Sequence, residues 1–174
     1  MTRLFAACLL GVALVLAHDA SADDALRDDR GAIIVLAAAP QRIVSLLPSL
    51  TESVCAIGAC ARLVGTDRFS NWPASVAALP KLGGFDDVRI EAVVALRPDV
   101  VLVSPSARVI DRLEQLGLKV IVLESRSRAD VRRTLTLLAR LIGDAAAGDR
   151  AWAAIEGRSA TTPSRATACC QTWE

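Results

Sequence analysis

Four short apolar runs in the middle of the chain alternate with stretches that have the period of an amphipathic helix. The apolar runs are RIVSLL, RLVG, DVVLVS and KVIVLE, at 42–47, 62–65, 99–104 and 119–124. Short runs rich in β-branched residues are typical of strands that are buried on both faces. The sequence between and after them predicts helices at 48–58, 88–96, 107–116 and about 128–139.

This alternation predicts the fold class. Strands that are joined by short helical connections pair in parallel through right-handed crossovers. We therefore expect an α/β domain with a parallel, Rossmann-like sheet that is covered by helices. Ligands of such sheets bind beyond the carboxyl ends of the strands. The candidate site therefore lies at 47–50, 66–69 and 104–106.

Turn and stop signals set the boundaries of these elements. Residues 28–31, DDRG, form a turn signal between two short apolar stretches and predict a β-hairpin at the N-terminus of the domain. Ser49 and Glu52 have the spacing of a capping box at the start of the first helix. Pro98 disfavours helical geometry at Arg97 and predicts that the 88–96 helix ends there.

The pattern changes near the carboxyl end. The segment AAAGDRAWAAIEG, at 145–157, predicts the start of a further helix. From Arg158 onward the sequence is polar and aperiodic, which predicts neither helix nor strand. This tail carries Cys169 beside Cys170, and two thiolates without a third ligand make a poor metal site.

The first 22 residues have the order of a secretory signal peptide. Arg3 precedes an apolar run at 4–17, and the small residues of a cleavage site follow at 20–22. The run is too short to cross a bilayer of about 30 Å at about 1.5 Å per residue. Export with cleavage after Ala22 is therefore favoured over the alternative, a membrane anchor. Cys8 lies too early in the run for a lipidation cysteine.

Composition excludes several kinds of chemistry. The formal net charge of +1 gives no electrostatic case for binding nucleic acid or an anionic membrane surface. His18 is the only histidine and lies in the predicted signal peptide, and tyrosine is absent. The mature chain then has no imidazole for a Ser-His-Asp or Cys-His nucleophile, or for a His-rich metal centre. We predict no catalytic residue, no metal ligand and no cofactor.

Cys55 and Cys60 lie on either side of a glycine. Cysteines five residues apart in an unbroken helix are too distant and too rotated to bridge. Gly58, however, is a natural helix stop, and export brings the chain to an oxidising compartment. A Cys55–Cys60 disulfide is therefore favoured, with two buried free thiols as the alternative.

Four consecutive segments resemble a known protein family. They are PQRIVSLLPSLTE, RLVGTDRFSNWP, KLGGFDDVRIEAVVALRPDVVLVS and LGLKVIVLE. They resemble the periplasmic substrate-binding proteins of ABC importers for vitamin B12, haem and iron–siderophores, and most of all the cobalamin-binding subgroup. Members of this class have two lobes that are joined by one long helix. The resemblance covers about Asp24 to Gly157.

The resemblance implies a domain organisation. Residues 1–22 would be the signal peptide, 23–143 the N-terminal lobe, 144–157 the start of the inter-lobe helix and 158–174 an aberrant tail. A second lobe of ~100–150 residues has no counterpart in the sequence. We therefore expect a truncated receptor whose ligand affinity is reduced.

The resemblance also implies a role in transport. The protein would be the monomeric, periplasmic solute-binding component of an importer. It would capture a corrinoid and deliver it to an ABC permease and its ATPase in the inner membrane. Glu91 matches the first-lobe glutamate that docks into an arginine pocket of the permease in this family. A carboxylate in the first turn of a helix is also favoured by the helix dipole, and the two roles are compatible.

Six residues match positions that line the family's ligand site. They are Pro48, Ser49, Leu50, Phe69, Trp72 and Phe85. For Trp72, ligand contact and packing are equal alternatives. For Phe85 contact is favoured, because a residue between Gly84 and Asp86 is hard to bury.

Other functions stay open. Arg68 would suit an anionic iron–siderophore, whereas haem is disfavoured because the chain has no tyrosine. An exported α/β enzyme would depend on Ser49, Thr51 and Glu52, with Lys81 or Lys119 as the base. A third alternative is a non-functional fragment of a receptor.

Overall fold

The computed structural model describes residues 26–161, with side chains as far as Arg158. Strands β1 to β4 are Ile43–Ser45, Leu63–Thr66, Val100–Val103 and Val120–Val122. Helices α1 to α5 are Pro48–Ala56, Ile90–Ala95, Ile110–Gln115, Arg128–Leu141 and Ala145–Thr161. The predicted signal peptide and the Cys169–Cys170 pair lie outside the described residues.

The four strands form one parallel sheet in the order β2-β1-β3-β4. This confirms the predicted α/β class and the four predicted strands. The chain leaves β1 toward β2 and then crosses over β1 to reach β3, so the direction of winding reverses between β1 and β3. In sheets of this kind a crevice for ligands opens at that reversal, beyond the carboxyl ends of the strands.

Helices cover both faces of the sheet. Side chains alternate along each strand, so that Ile43 packs with α1, α4 and α5 on one face, whereas Val44 packs with α2 and α3 on the other. All four residues of β3 are buried. Burial of both faces is the reason why the strands read as uninterrupted apolar runs rather than as alternating ones.

The predicted hairpin is present at the N-terminus of the described chain. Arg27 and Ile33 form an antiparallel bridge, and Gly31 turns the chain with a φ of 81°. The buried carboxylate of Asp28 accepts hydrogen bonds from the backbone N–H groups of Arg30, Ala32 and Val122. The hairpin is thereby fastened to the β4 edge of the sheet.

The predicted capping box at Ser49 and Glu52 is wrong. Helix α1 begins at Pro48, its N-cap residue is Leu47, and no side chain caps it. Proline is favoured at the first helical position because its fixed φ suits the helix and it has no N–H to satisfy there. Ser49 is therefore already inside the helix. A capping box lies instead at the start of α4, where Ser127 and Asp130 exchange hydrogen bonds.

Two further helix boundaries differ from those that the sequence predicts. Helix α2 starts only at Ile90, and the chain after it passes through Arg97 with a φ of 46° before Pro98. Helix α5 continues past Gly157 to Thr161, so the prediction that helical structure stops at Gly157 is wrong. Glycine lowers the stability of a helix but does not by itself end one.

Helices α4 and α5 pack closely against each other. A Cβ atom at Gly148 would lie 3.0 Å from the Leu135 carbonyl oxygen, so a larger residue would push the two helices apart. The guanidinium carbons of Arg128 and Arg132 lie 5.5 and 5.9 Å from the ring centroid of Trp152. Two cation–π contacts therefore join the outer side of α4 to α5.

Candidate functional site

The turn after β2 is held by buried polar side chains. This segment, 67–70, is called the β2 turn. The Thr51 hydroxyl oxygen lies 2.9 Å from the hydroxyl oxygens of both Ser45 and Ser70. Ser70 donates to the Asp67 carboxylate, which also accepts the backbone N–H of Phe69 at 2.8 Å. All four polar side chains are almost completely shielded from water, so each needs these partners.

This network connects the loop between β1 and α1 to the β2 turn, and both lie at the same edge of the sheet. The Ser45 hydroxyl donates to the Leu47 carbonyl, just before α1, and the Asp67 N–H donates to the Ser45 carbonyl. Lys81 adds a third attachment, because its ammonium donates to the carbonyls of Ser70 and Val76 and to the Thr66 hydroxyl. The backbone at Phe69, at the tip of the β2 turn, is thereby held in place.

A second turn, 83–87, lies beside the first and is called the glycine turn. Arg68 joins the two turns: its backbone N–H donates to the Gly83 carbonyl and its guanidinium pairs with Asp87. Asp87 also accepts the Gly84 N–H at 2.7 Å. The hydrogen bond from Arg68 and the one from Gly84 hold the pKa of Asp87 below its usual range.

Glycines are required for this arrangement. Gly83 has a φ of 106°, and a Cβ atom there would collide with the Asp87 carbonyl. At Gly84 a Cβ atom would lie 2.9 Å from Nε of Arg68, so the absent side chain leaves room for the guanidinium. The same guanidinium lies 5.6 Å from the ring centroid of Phe69.

Three aromatic side chains are exposed near this edge. Phe69 is 62% exposed, Trp72 66% and Phe85 44%. Soluble proteins scatter single apolar residues over their surfaces, but three large rings in two neighbouring loops are an uncommon concentration. Core packing, the alternative considered for Trp72, does not describe its position in this lobe.

The six predicted ligand residues do not converge on one cavity. Ser49 and Trp72 line a groove of about 430 Å³ between α1, α4 and α5. Phe85 lines a smaller groove of about 190 Å³ beside α3, together with Arg108 and Arg112. Phe69 projects from the β2 turn.

Leu50 does not belong to any surface site. Its side chain is completely buried in the core, and its N–H donates to the Leu47 carbonyl. As the third residue of α1 it points toward the sheet, and this is the physical reason for its burial. Pro48 and Ser49, in contrast, are partly exposed.

Glu91 is exposed in the first turn of α2. Within the described part of the chain its carboxylate makes no hydrogen bond and no ion pair. The backbone N–H of its neighbour Arg89 donates to the Leu82 carbonyl, which fixes where the helix starts. The start of α2 is thus fixed, and the Glu91 side chain lies on the surface.

Cys55 and Cys60 are joined by a disulfide with an S–S distance of 2.08 Å. Helix α1 ends before the second cysteine, and Gly58 has a φ of 85°. The chain therefore reverses between the two thiols. The disulfide fastens the end of α1 to the start of β2.

The chain is similar to proteins of a known family. The family model for periplasmic binding proteins matches residues 43–166. This chain belongs to the periplasmic binding protein family. A vitamin B12-binding protein of Vibrio vulnificus is 29% identical over 115 residues, which are 64% of this chain and 42% of the relative.

Two further relatives broaden the comparison. An ABC transporter substrate-binding lipoprotein of Bacillus subtilis, YvrC, is 31% identical over 134 residues, which are 74% of this chain and 40% of the relative. The crystal structure of a periplasmic heme binding protein from Pseudomonas aeruginosa superposes with a TM-score of 0.64 at 31% identity, covering 68% of this chain and 44% of that one. The chain thus spans less than half the length of these relatives.

As a member of this family, the protein is related to binding proteins and not to enzymes. The enzyme alternative depended on the cluster of Ser49, Thr51 and Glu52, with a lysine as the base. The Thr51 hydroxyl is occupied in the buried network, Lys81 by three oxygens, and Lys119 by the Val35 carbonyl. Neither lysine is therefore free to act as a base for Ser49.

Two further observations concern the described residues alone. Within residues 26–158, no group of three or more acidic, histidine or cysteine side chains is placed to hold a metal ion. Among the helices at 26–161, none combines the length and the apolar character needed to cross a bilayer.

The sequence did not reveal the network of Ser45, Thr51, Asp67 and Ser70. Each residue is a small polar side chain at the end of a strand or in a turn, where such residues are common. One signal was available: Ser45 and Thr51 interrupt apolar stretches that are otherwise buried, and a buried hydroxyl requires a partner.

Proposed function

We propose that this chain is the first lobe of a periplasmic receptor that captures a corrinoid and delivers it to an ABC permease. The main support is the exposure of three large rings beyond the carboxyl ends of the strands: Phe69 in the β2 turn, Trp72 just after it and Phe85 in the glycine turn. A large, mostly apolar ligand is bound by surfaces of this type, with a few polar groups to orient it.

The choice of a corrinoid over haem is supported by the lack of iron ligands. Haem iron is usually held by an axial His, Tyr, Met or Cys. Tyrosine is absent, the only histidine is His18 and the only methionine is Met1; within residues 26–158 both cysteines, Cys55 and Cys60, are in a disulfide. A cobalamin carries axial ligands of its own, so the protein need not provide one.

An iron–siderophore is the second candidate within the same family. Arg68 would be the group that attracts an anionic chelate. Its guanidinium already pairs with Asp87 and stacks on Phe69. Binding an anion there would require the pair with Asp87 to break, which makes this candidate the weaker one.

Glu91 is the residue we assign to permease docking. It is exposed and without a partner among the described residues, and it belongs to the segment whose resemblance to the family carries that role. A carboxylate that were present only for the helix dipole would contribute typically about 0.3–1 kcal/mol to stability. A docking carboxylate would instead be needed for transport.

The ligand is tested by calorimetric titration of the purified chain, and of this lobe joined to the second lobe of a vitamin B12-binding relative. Cyanocobalamin, haemin and a ferric siderophore are titrated separately. Cyanocobalamin should bind, most tightly to the two-lobe form. Phe85→Ala should weaken it by about tenfold or more, the value of one buried ring.

Leu116→Ala is the matched control for Phe85→Ala. Leu116 is 46% exposed, at the end of α3, and outside both grooves that hold aromatic residues. Its truncation should leave cyanocobalamin affinity unchanged. Binding of haemin or the ferric siderophore by the two-lobe form, without binding of cyanocobalamin, would contradict the corrinoid assignment.

Docking is tested by corrinoid uptake in cells that carry the two-lobe form and its permease. Glu91→Lys should abolish uptake while cyanocobalamin affinity stays unchanged. Asp111→Lys, which reverses the charge of an exposed carboxylate in the first turn of α3, should retain uptake. Loss of stability without loss of uptake in Glu91→Lys would show that Glu91 serves only its helix.

A further inference from the structure

Positive charge is concentrated on one face of the molecule. Residues 126–140 hold five arginines and one aspartate, a net charge of +4, although the whole chain has +1. The arginines are Arg126, Arg128, Arg132, Arg133 and Arg140, and all five are exposed. This surface is called the arginine face. The net charge of the chain therefore conceals a strong asymmetry.

Four of the five arginines of the arginine face lie on α4, and Arg126 lies just before this helix. Leu135, Leu138 and Leu141 occupy the inner side and are buried against the sheet. Because residues three and four apart share one side of a helix, the arginines gather on the opposite side. The groove that holds Trp72 uses Val131 and Leu135 of α4, and no arginine of α4 lines it. The arginine face is therefore separate from the proposed ligand site.

Among the described residues, carboxylates pair with Arg126 and Arg133. Arg133 pairs with both Asp29 and Asp130, and these two carboxylates raise its pKa above the ordinary arginine value. Arg126 reaches Glu124 only at 3.3 Å and its side chain is 77% exposed. Among the described residues, Arg128 and Arg132 contact the ring of Trp152 and no carboxylate.

A groove of about 430 Å³ lies within the arginine face. It runs between the start of the hairpin and the outer side of α4. Its lining combines apolar side chains, Leu26, Ala129 and Leu137, with four guanidinium groups, those of Arg27, Arg132, Arg133 and Arg140. Planar guanidinium groups bind phosphate through paired N–H donors. The apolar residues suit the glycerol and the first methylene groups beside a lipid phosphate.

We propose that the arginine face binds the anionic phospholipid headgroups of a membrane surface. A phospholipid is favoured over an acidic protein because the groove offers apolar contacts between the guanidinium groups, which a lipid fills and a carboxylate side chain does not. The choice of a membrane rests on the proposed function, since a receptor that serves a permease works beside the inner membrane. Lipid binding would concentrate the receptor near its permease without using Glu91.

Vesicle co-sedimentation tests the proposal, with the chain that begins at Asp23. This form lacks the apolar run at 4–17, which would bind lipid by itself, and it retains all of the described fold. Vesicles of phosphatidylcholine alone are compared with vesicles that contain about one third phosphatidylglycerol. The chain should bind only the anionic vesicles, and binding should weaken as salt is added.

The double substitution Arg128→Gln with Arg132→Gln removes two charges that no described carboxylate neutralises. It should weaken binding to the anionic vesicles by about tenfold or more, from the usual contribution of basic residues near such a surface. The matched control is Arg97→Gln with Lys119→Gln, two exposed cations outside the arginine face. This control should bind as the unchanged chain does.

Three results would overturn the proposal. They are no binding to anionic vesicles at low salt, equal loss in both double variants, and arginine-dependent binding of a polyglutamate peptide without binding of vesicles. The last result would show that the face serves an acidic protein. Cyanocobalamin titration of the same variants separates the two proposals, because corrinoid affinity should not change in either.

Discussion

The β2 turn and the glycine turn carry neighbouring aromatic rings, yet they are held by different forces. The β2 turn is anchored from inside by the buried carboxylate of Asp67 and the hydroxyl groups that lead to β1. The glycine turn is closed by the Arg68–Asp87 pair, whose side chains are 47% and 61% exposed. Buried hydrogen bonds are costly to break, whereas exposed ion pairs contribute little and are screened by salt.

This difference shows how the edge of the lobe is stabilised. Phe69 is attached to the core and should keep its direction under most conditions. Phe85 is attached to a surface ion pair and to a backbone shape that only glycine adopts easily. We therefore expect the first ring to define the site and the second to adapt to the ligand.

The largest effect is expected from Asp67→Ala. The substitution removes the acceptor for the buried Ser70 hydroxyl, which would keep only its contact with Thr51, and for the partly buried Phe69 N–H. The free energy of unfolding should fall by about 2–3 kcal/mol, measured by urea denaturation followed by circular dichroism.

Asp86→Ala is the matched control in the glycine turn. Asp86 is exposed and makes no hydrogen bond or ion pair among the described residues, so its removal should change stability by less than about 0.5 kcal/mol. Equal losses for the two alanine variants would refute the contrast between the turns.

A smaller effect is expected from Gly83→Ala. A Cβ atom there meets the backbone of Asp87 at a φ of 106°, so the glycine turn must distort. The expected cost is about 2 kcal/mol, together with loss of the corrinoid contact through Phe85. Gly84→Ala should cost under about 1 kcal/mol, because it displaces only the flexible end of Arg68. A Gly84→Ala variant as unstable as Gly83→Ala would show that the ion pair, and not the backbone, shapes this turn.

The smallest effect is expected from Asp87→Asn, and it should depend on pH. The folded pKa of Asp87 is lowered by Arg68 and by the Gly84 N–H. The carboxylate therefore stabilises the fold above the unfolded pKa of about 3.9, and this contribution is lost as the pH falls through the lower, folded pKa.

Thermal unfolding of Asp87→Asn and the unchanged chain at several pH values measures this dependence. The two melting temperatures should differ near pH 7 in low salt and should converge in strong acid. A difference that is the same at every pH would mean that the effect does not come from the charge of Asp87.

The sequence predicted the sheet because the condition that each strand must meet depends only on the residues of that strand. A strand buried on both faces must be apolar throughout, and the four runs that include Ile43, Leu63, Val100 and Val120 met that condition. Helix boundaries were less predictable, because the Ser49–Glu52 spacing competed with Pro48, and proline at the first position of the helix decided where it begins.

The candidate site was predictable in its residue types but not in its geometry. The position of Phe85 between Gly84 and Asp86 indicated exposure, whereas for Trp72 ligand contact and packing were equal alternatives. Their division between two grooves depends on how α3 and α5 pack, and a single sequence does not encode such long-range contacts visibly. The arginine face was hidden for a similar reason, since net charge averages over surfaces that point in different directions.

The close contact at Gly148 fixes where α5 packs against α4. The helix is pressed against the backbone of α4 at that glycine, and 13 residues follow before it ends at Thr161. Ala151, Trp152 and Ile155 of this segment also pack against the core, so the part that extends past them, 156–161, is about 9 Å long at about 1.5 Å per residue. The packing contact at Gly148 therefore helps to set the direction in which α5 leaves this lobe.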